Sequence, residues 1–308
     1  MAKLPTQFLV CSFFVLLALH SFSVRSQEVE DESEFDYGAN STKGPARWGE
    51  IHAEWGACSN GTMQSPIDMS NERVNIVSHL GRLKKSYKPS NATLRNRGHD
   101  MMLRWEDEAG AIEINGTEYV LHQCHWHSPS EHTINGRRWE DEAGAIEIKG
   151  TEYVLHQCHW HSPSEHTING RRYDLELHMV HESADGKVAV IGIMYKIGRQ
   201  DSFLSLLMDH LEAITDITDR ERAVGVIDPR HIKFGSRKYY RYIGSLTIPP
   251  CTENVVWSIV RKVRTVTREQ VRFLRVAVHD EWDSNARPLQ SINKRSIQLF
   301  RPDDKVEN

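Results

Sequence analysis

"YVLHQCHWHSPSEHTINGRRYDLELHMVH", residues 153–181, holds two strand-like runs on either side of Asn169-Gly170. Asn-Gly is a strong hairpin signal, because both residues tolerate the positive φ that a tight turn needs. Folding the chain about it sets Ile168 against Arg171 and, carried along the strands, His161 against His178. Residues i and i+2 of a strand share a face, roughly 7 Å apart. His159 and His161 therefore point one way, with Gln157 behind them. Directly opposed residues also share a face, which brings in His178. The "SPS" segment permits a bulge, so this register is approximate. Three histidines without a fourth protein ligand suit a catalytic zinc, whose fourth position stays open for water. Zinc lowers the pKa of that water to about 7. Gln157 and Glu176 each lie two residues from a ligand on the same face and are suited to orient the imidazoles.

Residues 104–138 recur as 138–172 at an offset of 34, and only Asn115 against Lys149 differs. Solenoids need several diverged units; two near-identical copies read as a recent tandem duplication or an error in assembling the sequence. Folding the first copy about Asn135-Gly136 sets His127 against Gly144, so no third histidine reaches His125 and His127. The second copy is therefore expected to bind one zinc per chain. The excess is expected to be extruded between the two "EDEAG" turns, over residues 108–141, since insertions are best tolerated at exposed turns.

Outward from this region, "KVAVIGIMYKIG", "DLELHMVHE" and "VVWSIVRKV" read as strands. Asp201 or Ser202 caps a helix over "FLSLLMDHLEAI", and Thr267 with Gln270 forms a capping box before "VRFLRV". The expectation is a mainly β, α+β single domain over residues 44–302, followed by a short tail at 303–308. Residues 1–26 have the layout of a secretory signal peptide, with an apolar run too short to span a bilayer. Residues 27–43 are acidic and read as a flexible arm. The net charge of −4 with no long basic block argues against nucleic-acid binding, and no later run is long enough for a membrane span. Outside the cytosol disulfides are permitted. Cys124 and Cys158 are copies of one another, so Cys58 and Cys251 are the natural bridge, against the alternative of four free thiols. Sequons stand at Asn40, Asn60, Asn91 and Asn115. His166, like His52, His79 and His231, is read as structural or surface.

"GPARWG", "QSPID", "RGHDM", "QCHWHSPSEHTING", "ELHMVH", "VAVIGI", "GSLTIPPCTENVVW" and "ARPLQ" occur in the order of a known family. The chain resembles the α-type carbonic anhydrases, in particular their secreted plant branch. The resemblance implies a twisted, mostly antiparallel ten-stranded sheet with zinc at the base of a conical cleft. It implies reversible hydration of carbon dioxide to bicarbonate and a proton by zinc-bound hydroxide. His159, His161 and His178 match the zinc ligands. Thr247 matches the hydroxyl that orients the hydroxide, Glu165 the carboxylate that takes the Thr247 proton in hydrogen bonding, and His99 the proton shuttle. Val180, Val190, Leu246, Val255 and Trp257 match the apolar wall that holds carbon dioxide. Cys58 and Cys251 match the disulfide of secreted members. Two other readings stay open: an inactive storage or binding protein on this fold, and a non-functional product of the duplication. The expected compartment is extracellular or cell wall, with the chloroplast reachable through the secretory route.

Overall fold

The computed structural model describes residues 34–97, 100–106, 109–114, 117–120, 123–127, 151–161, 166–214, 220–276 and 285–302, with the backbone alone between 117 and 161. The strands, in chain order, are β1 (Val74–Val77), β2 (Lys84–Lys85), β3 (Ser90–Asn96), β4 (Met101–Trp105), β5 (Ala111–Ile114), β6 (Thr117–Val120), β7 (Gln123–His127), β8 (Thr151–His161), β9 (Leu175–Ser183), β10 (Val188–Ile197), β11 (Glu221–Ile227), β12 (Tyr239–Ser245), β13 (Glu253–Val260), β14 (Arg264–Val266) and β15 (Ile297–Phe300). They form one mixed sheet. Among the described residues the sheet has fifteen strands: one row runs β1-β15-β12-β13-β10-β9-β6-β8-β5-β2, and β7, β4, β3 and β11 follow one another from β9 off this row. Most pairs are antiparallel; β1–β15, β10–β13, β10–β14 and β6–β8 are parallel.

Period-2 alternation sorts β9 and β10 between two cores. Leu175, Leu177 and Met179 enter one, with Ala189, Ile191 and Ile193. Val180, Val188, Val190 and Met194 enter the other, with Tyr240, Tyr242 and Trp257. The first core is covered by the helix Ser202–Glu212, which buries Phe203, Leu204, Leu207 and Leu211. Asp201 caps that helix by accepting from the N–H groups of Phe203 and Leu204, both at 3.0 Å. The capping box is present at the helix Arg268–Val276: Gln270 N donates to Thr267 Oγ1 at 3.1 Å, and Thr267 N to Gln270 Oε1 at 3.2 Å.

The arm expected over 27–43 packs onto the domain from Phe35. Phe35 and Tyr37 are buried against Trp48 and Trp55 in a small third core that includes Cys58 and Cys251. Two aromatics anchor this segment despite its acidic composition.

The hairpin turn stands where the sequence puts it. Asn169 and Gly170 have φ of 49° and 73°, and Ile168 pairs with Arg171. Further along, the register differs. β8 sets His159 against His178 and His161 against Glu176, a slip of two residues from the expected pairing. More chain separates Ile168 from His161 than separates Arg171 from Glu176, so the excess is taken up between turn and strand. A slip of two preserves the face, so positions 159, 161, 176 and 178 still share one side.

The first copy also differs from expectation. β7 pairs with β9 as well, His125 against His178 and His127 against Glu176, so the first copy does reach His178. A strand has two hydrogen-bonding edges, and β10 occupies one edge of β9. Both copies are thus registered against the same residues of β9, and β6 also pairs with β8 in parallel. The expected extrusion of 108–141 is corrected too. Ala109, Ala111, Ile112 and Ile114 are buried in the first core. Gly110 has a φ of +93°, and a Cβ there would lie 2.2 Å from the Ser86 carbonyl oxygen. This part of the first copy is built into the domain.

Candidate metal centre

The centre of the site is "LELHMV". Because alternate residues face opposite ways, Glu176 and His178 sit on the Val180 side of β9, and both are fully buried. A buried carboxylate needs partners. Glu176 Oε1 lies 2.9 Å from His178 Nε2, and His166 Nδ1 is 3.8 Å away. His166 Nε2 hydrogen-bonds the Tyr242 hydroxyl, which is 2.9 Å from Ser65 Oγ. A polar chain thus runs Ser65–Tyr242–His166–Glu176–His178 through an otherwise apolar core. Burial, with the charges of His178, Arg295 and Arg172 adding to it, holds His166 well below the ordinary histidine range, so this ring is neutral.

His166, Glu176 and His178 place ligand atoms within 4.8 Å of one another. Their bonding favours a relay over a direct ligand set. Glu176 is engaged with His178, and His166 Nε2 with Tyr242. A ring that donates from Nε2 to a carboxylate carries its lone pair on Nδ1, the arrangement by which an outer carboxylate orients a metal ligand. His178 thus offers Nδ1 to a metal.

Around it, Trp257 packs with its ring centroid 4.8 Å from that of His178 and 5.1 Å from that of His166. Val190 pairs with Val180 on one side and Trp257 on the other. Leu246 and Val255 complete the same cluster, so the structure brings the five residues of the expected apolar wall together. Thr247 follows β12 in a loop held at several points. Ser65 N donates to Ser245 Oγ at 2.9 Å and Ser245 N to Ser65 Oγ at 3.0 Å. Trp257 Nε1 donates to the Ser245 carbonyl at 2.9 Å. Cys251, at the far end of the loop, is bonded to Cys58. Thr247 is 1% exposed, and its Oγ1 has no hydrogen-bond partner among the described residues. A buried hydroxyl in that position awaits a partner. An imidazole nitrogen backed by a carboxylate, a strand opposite carrying His-x-His, and this hydroxyl together fit a catalytic zinc.

The remaining expected residues divide. Gln157 registers opposite Val180, on the site face. His99 and Glu165 lie outside the described residues. Of the described residues nearest His99, Arg97 pairs with the fully buried Asp100 through Nε to Oδ1 at 2.8 Å and through Nη2 to Oδ2. Asn40, Asn60 and Asn91 are exposed; Asn115 lies outside the described residues. Sequence reasoning missed the site role of His166, Tyr242 and Ser65. The one signal for Tyr242 is its register opposite Trp257, which no local pattern shows.

A profile of the eukaryotic-type carbonic anhydrase family matches residues 43–153 and again 142–301. The overlapping pair of matches is what a duplicated internal segment produces. Among relatives, alpha carbonic anhydrase 7 of Arabidopsis thaliana is 55% identical over 94% of both chains. Carbonic anhydrase Nec1 of Nesocodon mauritianus is 44% identical over 95% of both. Among solved structures, dioscorin complexed with ascorbate matches with a TM-score of 0.75 at 38% identity, covering 88% of this chain and all of that one. The α-carbonic anhydrase of Thermovibrio ammonificans with sulfanilamide matches with a TM-score of 0.66 at 27% identity, covering 86% and 98%. The chain belongs to the eukaryotic-type, or α, carbonic anhydrase family.

Proposed function

We propose that the protein catalyses the reversible hydration of carbon dioxide to bicarbonate and a proton, with zinc held by His159, His161 and His178. The observation that carries this is the buried Glu176–His178 pair, 2.9 Å apart, in the same core as Trp257 and beside the loop of Thr247. β8 carries the second copy's pair in register with His178 and Glu176. Bound there, zinc supplies the Lewis acidity that brings water ionisation near neutral pH. Glu176 and Gln157 hold the ligand rings in orientation. Thr247 accepts a hydrogen bond from the attacking water and donates its own hydroxyl hydrogen bond to Glu165, which fixes the direction of attack. Val180, Val190, Leu246, Val255 and Trp257 exclude water from the face where carbon dioxide sits. His99 moves the released proton outward to buffer. The disulfide and the exposed Asn40, Asn60 and Asn91 support entry into the secretory pathway and glycosylation. Retention of His178, Glu176 and Thr247 disfavours a purely binding or storage role.

The test is metal content and carbon dioxide hydration measured together. One zinc per chain with activity is expected. His178→Ala should lose both, and Thr247→Ala should keep zinc but lose rate. A zinc-loaded protein without activity, or an active one without zinc, would refute the reading.

A further inference from the structure

We infer that a cleft at the β1–β15–β12 end of the sheet binds a phosphate monoester carrying a small apolar group. The site lies outside the metal centre and does not depend on it. The cleft measures about 260 Å³ and is lined by three cations, Lys238, Arg261 and Arg301, by the apolar Val74, Ile76 and Leu299, and by Asn71. The registers explain why the cations meet. β12 pairs Tyr239 with Val260 of β13 and with Phe300 of β15. One residue further out, Arg261 N donates to Lys238 O at 2.9 Å, and Arg301 N donates to Val77 O at 3.0 Å. Lys238, Arg261 and Arg301 therefore stand in one row on three adjacent strands. Alternation puts them on the side of Tyr240, Ile259 and Leu299, the side of the second core.

Like charges set opposite one another across strands are destabilising, and among the described residues no carboxylate lines the cleft. The chain as a whole is acidic, at −4, so this positive row runs against its overall charge. An anion is the partner that relieves the repulsion. Two guanidiniums favour a phosphoryl group, whose oxygens accept paired N–H bonds from the planar fork. A monoester brings a charge of about −1.5 to −2 at neutral pH. The other wall makes a different demand. Ile76 pairs with Leu299 and stays 63% exposed, so an apolar group on the phosphate gains by covering it. The volume is just below the roughly 300 Å³ at which small-molecule sites begin, which suits a phosphoryl group and one small ring. Tyr240 adds an independent sign. It is fully buried, and its hydroxyl has no hydrogen-bond partner among the described residues. Burial raises its pKa and the Arg261 guanidinium opposes that rise, which sets the hydroxyl beside Arg261. A buried polar atom of this kind calls for a partner, and an anion drawn to Arg261 brings it an acceptor. Asn71 is held in place beforehand, its N–H donating to Asn169 Oδ1 at 2.8 Å.

The test is titration calorimetry of the full, zinc-loaded chain with phenyl phosphate and with inorganic phosphate. One phenyl phosphate per chain is expected, bound at least about fivefold more tightly than inorganic phosphate. Arg261→Gln and Arg301→Gln should each weaken both ligands by about tenfold or more. Ile76→Ser should weaken phenyl phosphate alone. These three positions are exposed, so the changes spare the fold. His178→Ala should bind as the parent does, which separates the cleft from the metal centre. The absence of saturable binding at millimolar phenyl phosphate would overturn the inference. So would binding that survives Arg261→Gln with Arg301→Gln, or that vanishes in His178→Ala, since the ligand then sits elsewhere. Binding gained only in Asp303→Asn with Asp304→Asn would give the cleft to the chain's own acidic end and overturn it too. Equal affinity for the two probes, unmoved by Ile76→Ser, would overturn the ester in favour of a free anion.

Discussion

Glu176→Gln tests whether the buried polar chain serves the metal. The carboxylate is fully buried and accepts from His178 Nε2 at 2.9 Å. A hydrogen bond to a charged group contributes about 1.5–3 kcal/mol, a neutral one about 0.5–1.5. The amide can keep the contact through Oε1 but loses the charge, so the ligand ring becomes less basic by roughly 1–1.5 kcal/mol. That corresponds to zinc affinity weaker by about tenfold, at the lower end of what outer-shell changes cause. The assay is competition against a chelator at neutral pH, with the release rate followed separately. His166→Phe completes the test. In the relay, His166 touches Glu176 from behind, and its loss should change zinc affinity less than about threefold. An unchanged affinity in Glu176→Gln would refute the orienting role. A loss in His166→Phe as deep as that of His178→Ala would show instead that His166, Glu176 and His178 hold the metal directly.

Three further outcomes are expected. Gly110→Ala forces a side chain into a φ of +93° and against Ser86 O at 2.2 Å, so it should destabilise by at least about 1–2 kcal/mol in urea unfolding; an unchanged stability would show that this part of the first copy is not built into the domain. Deleting 128–161 or deleting 115–148 leaves chains that differ only in Asn115 against Lys149; both should fold and bind zinc, with the Asn form more stable by about 1 kcal/mol because asparagine enters the left-handed turn more readily, and a dead deletion would show that the excess is structural. Burial, reinforced by Lys233, lowers Lys85 from 10.5 to about 8. The unfolded chain then binds more protons between those two values, so stability should rise with pH across that window and level off above it; in Lys85→Met the rise should vanish, and its persistence would place the titration elsewhere.

Local physics made much of this fold legible. The Asn169-Gly170 turn, the cap at Asp201, the Thr267–Gln270 box and the alternation of β9 are each decided by a few neighbouring residues. The pairing of His161 was displaced because the excess residues between turn and strand cannot be read from the turn alone. Folding the first copy about its nearest turn hid its approach to β9, since β7 meets a strand some fifty residues further on. The chain from Ser65 to His178 joins segments that are far apart in sequence, and nothing in any one of them announces a buried polar path. Phe35 and Tyr37 were masked by acidic neighbours, whose charge dominates a composition window but not the packing.

The last strand has a consequence for how the molecule is made. β15 lies between β1 and β12, parallel to the former and antiparallel to the latter. Just before it, the buried Arg287 donates to Gln64 Oε1, Ser65 O and Cys58 O at 2.8–2.9 Å. A chain leaves the ribosome from its N-terminus, so β1 and β12 are complete long before the piece that joins them. Two open sheet edges, which invite wrong partners, persist until β15 arrives between them. Folding of this domain thereby waits for β15, and a nascent chain stalled short of Ile297 lacks the strand that joins β1 to β12.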